Sequence, residues 1–156
     1  MDHPLRGCIR KQSGSAAVEL ALLCPLFVFL FAVPVFYGAL MMDYERAFKA
    51  AEDATRYLST ISEQEMREPD LAIAAAEATR AIVMMELADM GPRAEGVTVE
   101  VFCGTETCAG VRSRPLPDIV RVRIAMDVKD RFMGLVDTGR YGLPITIDMS
   151  TTYLGQ

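Results

Sequence analysis

Few residues in this chain could do chemistry, and most lack the partners that catalysis needs. The only histidine is His3, near the N-terminus, so a Ser-His-Asp or Cys-His arrangement elsewhere has no imidazole base. Cys103 and Cys108 supply two thiolates, short of the ligand set of a zinc site. No glycine-rich phosphate loop is present; Gly104 and Gly110 only flank the cysteines. Acid pairs such as Glu52-Asp53 and Asp127/Asp130 fall on expected solvent faces. No catalytic residue, metal site or cofactor is therefore expected, and no enzyme. Two features remain. Cys103-Gly104-Thr105-Glu106-Thr107-Cys108 closes a small loop that a disulfide would pin in an oxidising compartment. Its task would be to fix a loop shape; the alternative is two free thiols. The other feature is one carboxylate, Glu19.

Glu19 stands at the entrance of a long apolar run. From Leu20 to Met42, between Glu19 and Asp43, no residue carries charge. A helix over those residues rises about 35 Å at about 1.5 Å per residue, enough to cross a hydrocarbon core of about 30 Å. Arg6, Arg10 and Lys11 precede it with only Asp2 opposing them, and Asp43 and Glu45 follow. Basic residues beside a span stay cytoplasmic, so a cytoplasmic N-terminus and an exported C-terminal part are expected. The run is too long for an ordinary cleaved secretory signal and lacks its small-residue ending. A carboxylate at this place costs about 2–3 kcal/mol to bury even on a lenient scale. The plain account of Glu19 is a helix-start residue among lipid head groups, favoured there by the helix dipole. Pro25 and Pro34 free the carbonyls of Ala21 and Leu30, which reads as two mild kinks.

The order of these residues carries a second account. A basic leader, Gly14, four small or apolar residues, Glu19 and a long apolar run resemble a class III signal of the type IV pilin kind. In that signal a prepilin peptidase cuts after the glycine, and the glutamate becomes the fifth residue of the mature chain. The wider string Gly14-x-x-Ala17-Val18-Glu19-Leu20-Ala21-Leu22-x-x-Pro25 resembles the TadE-like proteins of the tight-adherence (Tad) pilus system. Leu20 stands where that family usually has an aromatic. Ala50-Ala51 and Ala54-Thr55-Arg56 echo its alanine-rich segment after the span. The resemblance implies a membrane pseudopilin or minor pilin, cut between Gly14 and Ser15. Its new amino terminus and Glu19 would take part in subunit pairing.

The rest of the chain reads as one small domain. Of its charged residues, 13 Lys and Arg and 19 Asp and Glu lie in 43–156, an acidic balance that argues against nucleic acid. The helix is expected to continue to Leu58, with Tyr44, Phe48, Ala51, Thr55 and Leu58 on its inner face and Glu45, Lys49, Glu52 and Arg56 opposite. Residues 59–68 read as a polar link. Pro69 opens a second helix that runs to about Met90, with Leu71, Ala75, Ala78, Ile82, Met85 and Asp89 on one stripe, and Gly91-Pro92 ends it. Three period-two runs follow: Val97–Cys103, Val120–Val128 and Ile145–Tyr153. Each suits an antiparallel strand with one dry face. Arg131–Gly142 reads as a helical turn and loop.

These expectations make an α+β, pilin-like, single-pass protein. Residues 1–14 would be a cleaved basic leader, 15–42 a transmembrane helix, and 43–156 an exported domain with a second helix and an antiparallel sheet. The setting expected is the bacterial inner membrane, with the domain periplasmic. The resemblance implies prepilin peptidase, other pilin-like subunits and the Tad assembly machinery as partners, and a part in pilus assembly and surface adherence. The alternative is a signal-anchored envelope protein that binds a periplasmic partner without processing or filament assembly.

Overall fold

Helix α1 runs unbroken from Ser13 to Ser59, with Pro25 and Pro34 inside it. The computed structural model describes residues 13–108, 116–129 and 142–155. The leader read over 1–14 lies outside those residues except for Ser13 and Gly14, as does the loop read at Arg131–Gly142 except for Gly142. Contacts divide the chain into two units, one ending at Tyr37 and the other starting at Gly38. In the first unit the large side chains from Val18 to Val35, among them Leu22, Leu26, Phe29 and Phe31, are exposed. Apolar surface of that extent is unfavourable in water and suits hydrocarbon. The helix is long and apolar enough to span a bilayer, which suits a single-pass anchor.

The second unit joins the C-terminal part of α1 to two further helices and a sheet. Helix α2 covers Glu63–Arg67, α3 covers Pro69–Leu87, and a 3-10 helix, Ala88–Arg93, follows. The strands are β1 (Ala94–Cys103), β2 (Glu106–Thr107), β3 (Ile119–Val128) and β4 (Leu143–Thr152), all antiparallel in the order β2-β1-β3-β4. The architecture is α+β: a long N-terminal apolar helix, then helices and a four-stranded sheet.

β3 carries the core. Val120, Val122, Ile124, Met126 and Val128 are buried, as their alternation requires, and each such side chain contributes about 1.5–3 kcal/mol by leaving water. They share one cluster with Ala47, Ala50, Ala51, Ala54 and Leu58 of α1 and Ala72, Ala76, Val83 and Leu87 of α3. β1 holds an irregularity between Glu95 and Thr98, where the register against β3 shifts by one residue. Gly96 there has φ +62°, which glycine adopts without strain. The extra residue reverses the parity of the strand, so Ala94 and Val97 both pack against the core. On the opposite face of the sheet Arg123 pairs with Asp148 at 3.0 Å and Glu100 at 3.6 Å, and lies over the Phe102 ring.

β4 is an edge of the sheet among the described residues. Tyr153 N donates to Asp118 O, and the register pairs Thr151 with Val120 and Met149 with Val122. Antiparallel alternation therefore turns the backbone groups of residues 144, 146, 148, 150 and 152 outward. Pro144 occupies an outward position, where a missing N–H costs no ladder bond and discourages edge pairing.

The helices differ from expectation in their rotation. On α1 the buried face is Asp43, Ala47, Ala50, Ala54 and Leu58, flanked by Ala51 and Thr55, while Tyr44 and Phe48 are each 41% exposed. Alanine lets the helix backbone come close to the core, and the two rings would hold it away. On α3 the inward stripe is Ala72, Ala75, Ala76, Thr79, Val83 and Leu87; Leu71 and Met85 are exposed. Thr55 and Thr79 are buried on these faces because their hydroxyls donate back to the carbonyls of Ala51 and Ala75. The stretch read as a polar link contains α2, capped by a reciprocal bond pair between Ser62 and Glu65, with Met66 buried.

Candidate functional site

Gly14, Ser15 and Glu19 all lie on α1, within its first two turns. Ser15 and Glu19 are four residues apart, so they share a face and stand about 6 Å apart along the axis. Among the described residues α1 starts at Ser13, and the turn that follows contains no acid. Glu19 therefore sits beyond the first turn, past the reach of most of the dipole's stabilisation. Its side chain is exposed, as are the apolar residues that follow it. Gly14 is also exposed, and among the described residues nothing beyond its chain neighbours and the helix's own backbone lies within 4 Å of the position a Cβ would take. Packing gives no reason for glycine there.

Cys103 and Cys108 belong to the second unit. β1 and β2 form a hairpin in which Cys103 faces Glu106 and Phe102 faces Thr107. Gly104 makes the turn at φ +75°, and its N–H donates to the Ile119 carbonyl at 2.8 Å, fastening the hairpin to β3. The structure joins the two cysteines by a disulfide. The sulfurs do not face outward: Cys103 is 8% exposed and Cys108 1%. The Cys103 sulfur lies 3.6 Å from the Met66 sulfur of α2, a packing contact, since a disulfide has no S–H to donate. The bridge is thus part of the core and packs against Met66 of α2. Ser62-x-x-Glu65, the capping signal that places Met66 there, is visible in the sequence within the stretch 59–68.

A groove of about 520 Å³ opens in the second unit, lined on one side by Phe48, Glu52, Thr55 and Arg56 of α1 and on the other by Met149 and Thr151 of β4. Among the described residues no three His, Cys, Asp or Glu side chains gather in a way that could hold a metal. Ser59 and Leu154 also line it, with Leu154 N donating to Ser59 O at 3.0 Å; nearby the Tyr153 hydroxyl donates to Ile61 O at 2.8 Å.

Residues 14–56 match the family model described as TadE-like protein. The match starts at Gly14 and ends near the C-terminal end of α1, so it includes Glu19 and the alanine face and none of the sheet. No curated protein and no solved structure matches the chain.

Proposed function

We propose that this chain is a TadE-like pseudopilin or minor pilin that takes part in Tad pilus assembly and, through it, in surface adherence. The observation that carries the proposal is the TadE-like family match over residues 14–56, which begins at the glycine of the signal-like string. The TadE-like family is not one of enzymes, and its association with the Tad system supports a membrane setting with pilus components as partners. Two features of α1 add support. Gly14 is unconstrained by packing, as a residue read by a peptidase would be. Glu19 lies on an otherwise apolar exposed helix surface, beyond the first turn.

In this reading an integral prepilin peptidase cleaves after Gly14 at the cytoplasmic face of the inner membrane, and the domain from residue 43 onward is periplasmic. Cleavage creates an α-ammonium on Ser15 near the Glu19 carboxylate. In a water-poor helix bundle neither charge is stable alone, and an uncompensated buried charge costs on the order of 3–5 kcal/mol. Pairing between the amine of one subunit and the carboxylate of a pilin-like neighbour would therefore set the axial register of assembly.

Glu19→Ala tests this role. Removing the charge makes the span more apolar, so the variant still inserts in the membrane. It should lose crosslinking to pilin-like partners in the host membrane, and piliation scored by microscopy should fall. Wild-type levels of both would leave Glu19 without a part in assembly and favour a plain signal-anchored envelope protein.

A further inference from the structure

Between β4 and α1 there is room for one more strand. The outward backbone groups of residues 146, 148, 150 and 152 have no strand beside them among the described residues. Pro144 guards only the start of this edge. The single charge on β4 is Asp148, and Arg123 and Arg121 hold it at 3.0 and 3.5 Å on the far face of the sheet. Residues 145–152 therefore carry neither a proline nor a free charge to discourage pairing. The groove of about 520 Å³ lies beside them, where the inward side chains of an added strand would go.

Charge is ordered along this groove. Leu154 N bonds Ser59 O, so α1 runs past β4 in the opposite direction, with Arg56 toward Thr151, Glu52 toward Met149 and Phe48 beyond. Arg56 and Glu52 are exposed, and neither has an ion pair among the described residues. They stand about 6 Å apart along the helix, and inward side chains of a strand repeat at about 6.8 Å.

We propose that the groove binds an extended segment of another protein, added antiparallel to β4. It carries an acidic side chain opposite Thr151, a basic one opposite Met149 and an apolar one opposite Ile147. Main-chain bonds to residues 146, 148, 150 and 152 give affinity. The acid on Arg56, the base on Glu52 and the apolar group over Phe48 give specificity. The β4 strand of a second copy lacks this match, because its inward residues Ile145, Ile147, Met149 and Thr151 are uncharged. The surface is separate from Gly14 and Glu19, so the proposal does not depend on processing or on a pilus.

The probe is a fluorescent synthetic peptide, Thr-Val-Thr-Glu-Thr-Lys-Thr-Leu-Thr, titrated into the full chain in detergent. Its binding should slow hydrogen exchange of the amides at 146, 148, 150 and 152, and N-methylation of the two threonines that flank its lysine should abolish binding. A peptide with glutamate and lysine exchanged should bind about tenfold more weakly, and the double variant Glu52→Lys/Arg56→Glu should reverse that preference. Absence of binding, equal binding of the two peptides, or a preference that the double variant leaves unchanged would overturn the proposal. Slow exchange of the same amides without peptide would mean that the edge is already covered. Release on dilution would then identify a second copy, and persistence would identify residues of the same chain; either overturns it.

Discussion

The Tyr153 hydroxyl donates to the main-chain carbonyl of Ile61 at 2.8 Å, joining the end of the last strand to the turn after α1. Beside it Leu154 N bonds Ser59 O, so two adjacent residues fasten the end of β4 to the last residue of α1 and to the turn after it. Burial, and next the charge of Glu63, raise the Tyr153 phenol above its ordinary range, which keeps it a donor at all physiological pH. Tyr153→Phe removes the donor and leaves the carbonyl, a loss of about 1 kcal/mol. For the full chain in detergent the expected fall in Tm is about 3–6 °C. An unchanged Tm would mean that water replaces the phenol at no cost.

The disulfide gives a second prediction. A loop this short stabilises by only about 2 kcal/mol in the chain-entropy account. Because both sulfurs are buried, reductant should fail to open the bridge in the folded chain and succeed once urea is added. Replacing both cysteines by alanine should lower Tm without preventing folding. Non-reducing peptide mapping of protein from its own envelope checks the pairing; free-thiol labelling of both residues would refute it.

Much of this was legible in the sequence, and the misses share a cause. The β3 alternation from Val120 to Val128 named its dry face because valine, isoleucine and methionine have no competing role there. On α1 the same reasoning placed Tyr44 and Phe48 inside, since large apolar residues usually make cores. What decides that face is close approach, which Ala47, Ala50 and Ala54 permit, while the rings lie on surface the helix leaves outside. β2 was missed because Glu106-Thr107 is too short to show a period. The inward face of Cys103 was legible by its alternation with Val99 and Val101, whereas the burial of Cys108 beside it depends on the β1–β2 hairpin, which is too short to show a period.

Glu86 on α3 supplies a prediction in pH. Burial, then the charge of Asp53 on α1, raise its carboxyl above the ordinary range, with Lys49 pulling the other way. A raised acid binds its proton more tightly folded than unfolded. Its contribution is thus favourable below the unfolded carboxylate range and is lost as pH rises through the folded value. At neutral pH the ionised group is a net cost, reduced by its partial exposure to solvent. Glu86→Gln should raise stability at pH 7 by at most about 0.5 kcal/mol, and the gain should vanish near pH 4. A gain that persists unchanged at low pH would exclude this cause.

Gly14 separates processing from folding. With no packed neighbour of a Cβ among the described residues, Gly14→Val should leave Tm and membrane insertion as they are. Its expected defect is a chain that keeps its leader. Normal trimming of the variant would deny glycine the part of a recognition residue.

The most direct test of the account as a whole is the intact mass of the wild-type protein extracted from the membranes of its own host. The account predicts a chain beginning at Ser15, with the first fourteen residues gone. A mass corresponding to all 156 residues would contradict it.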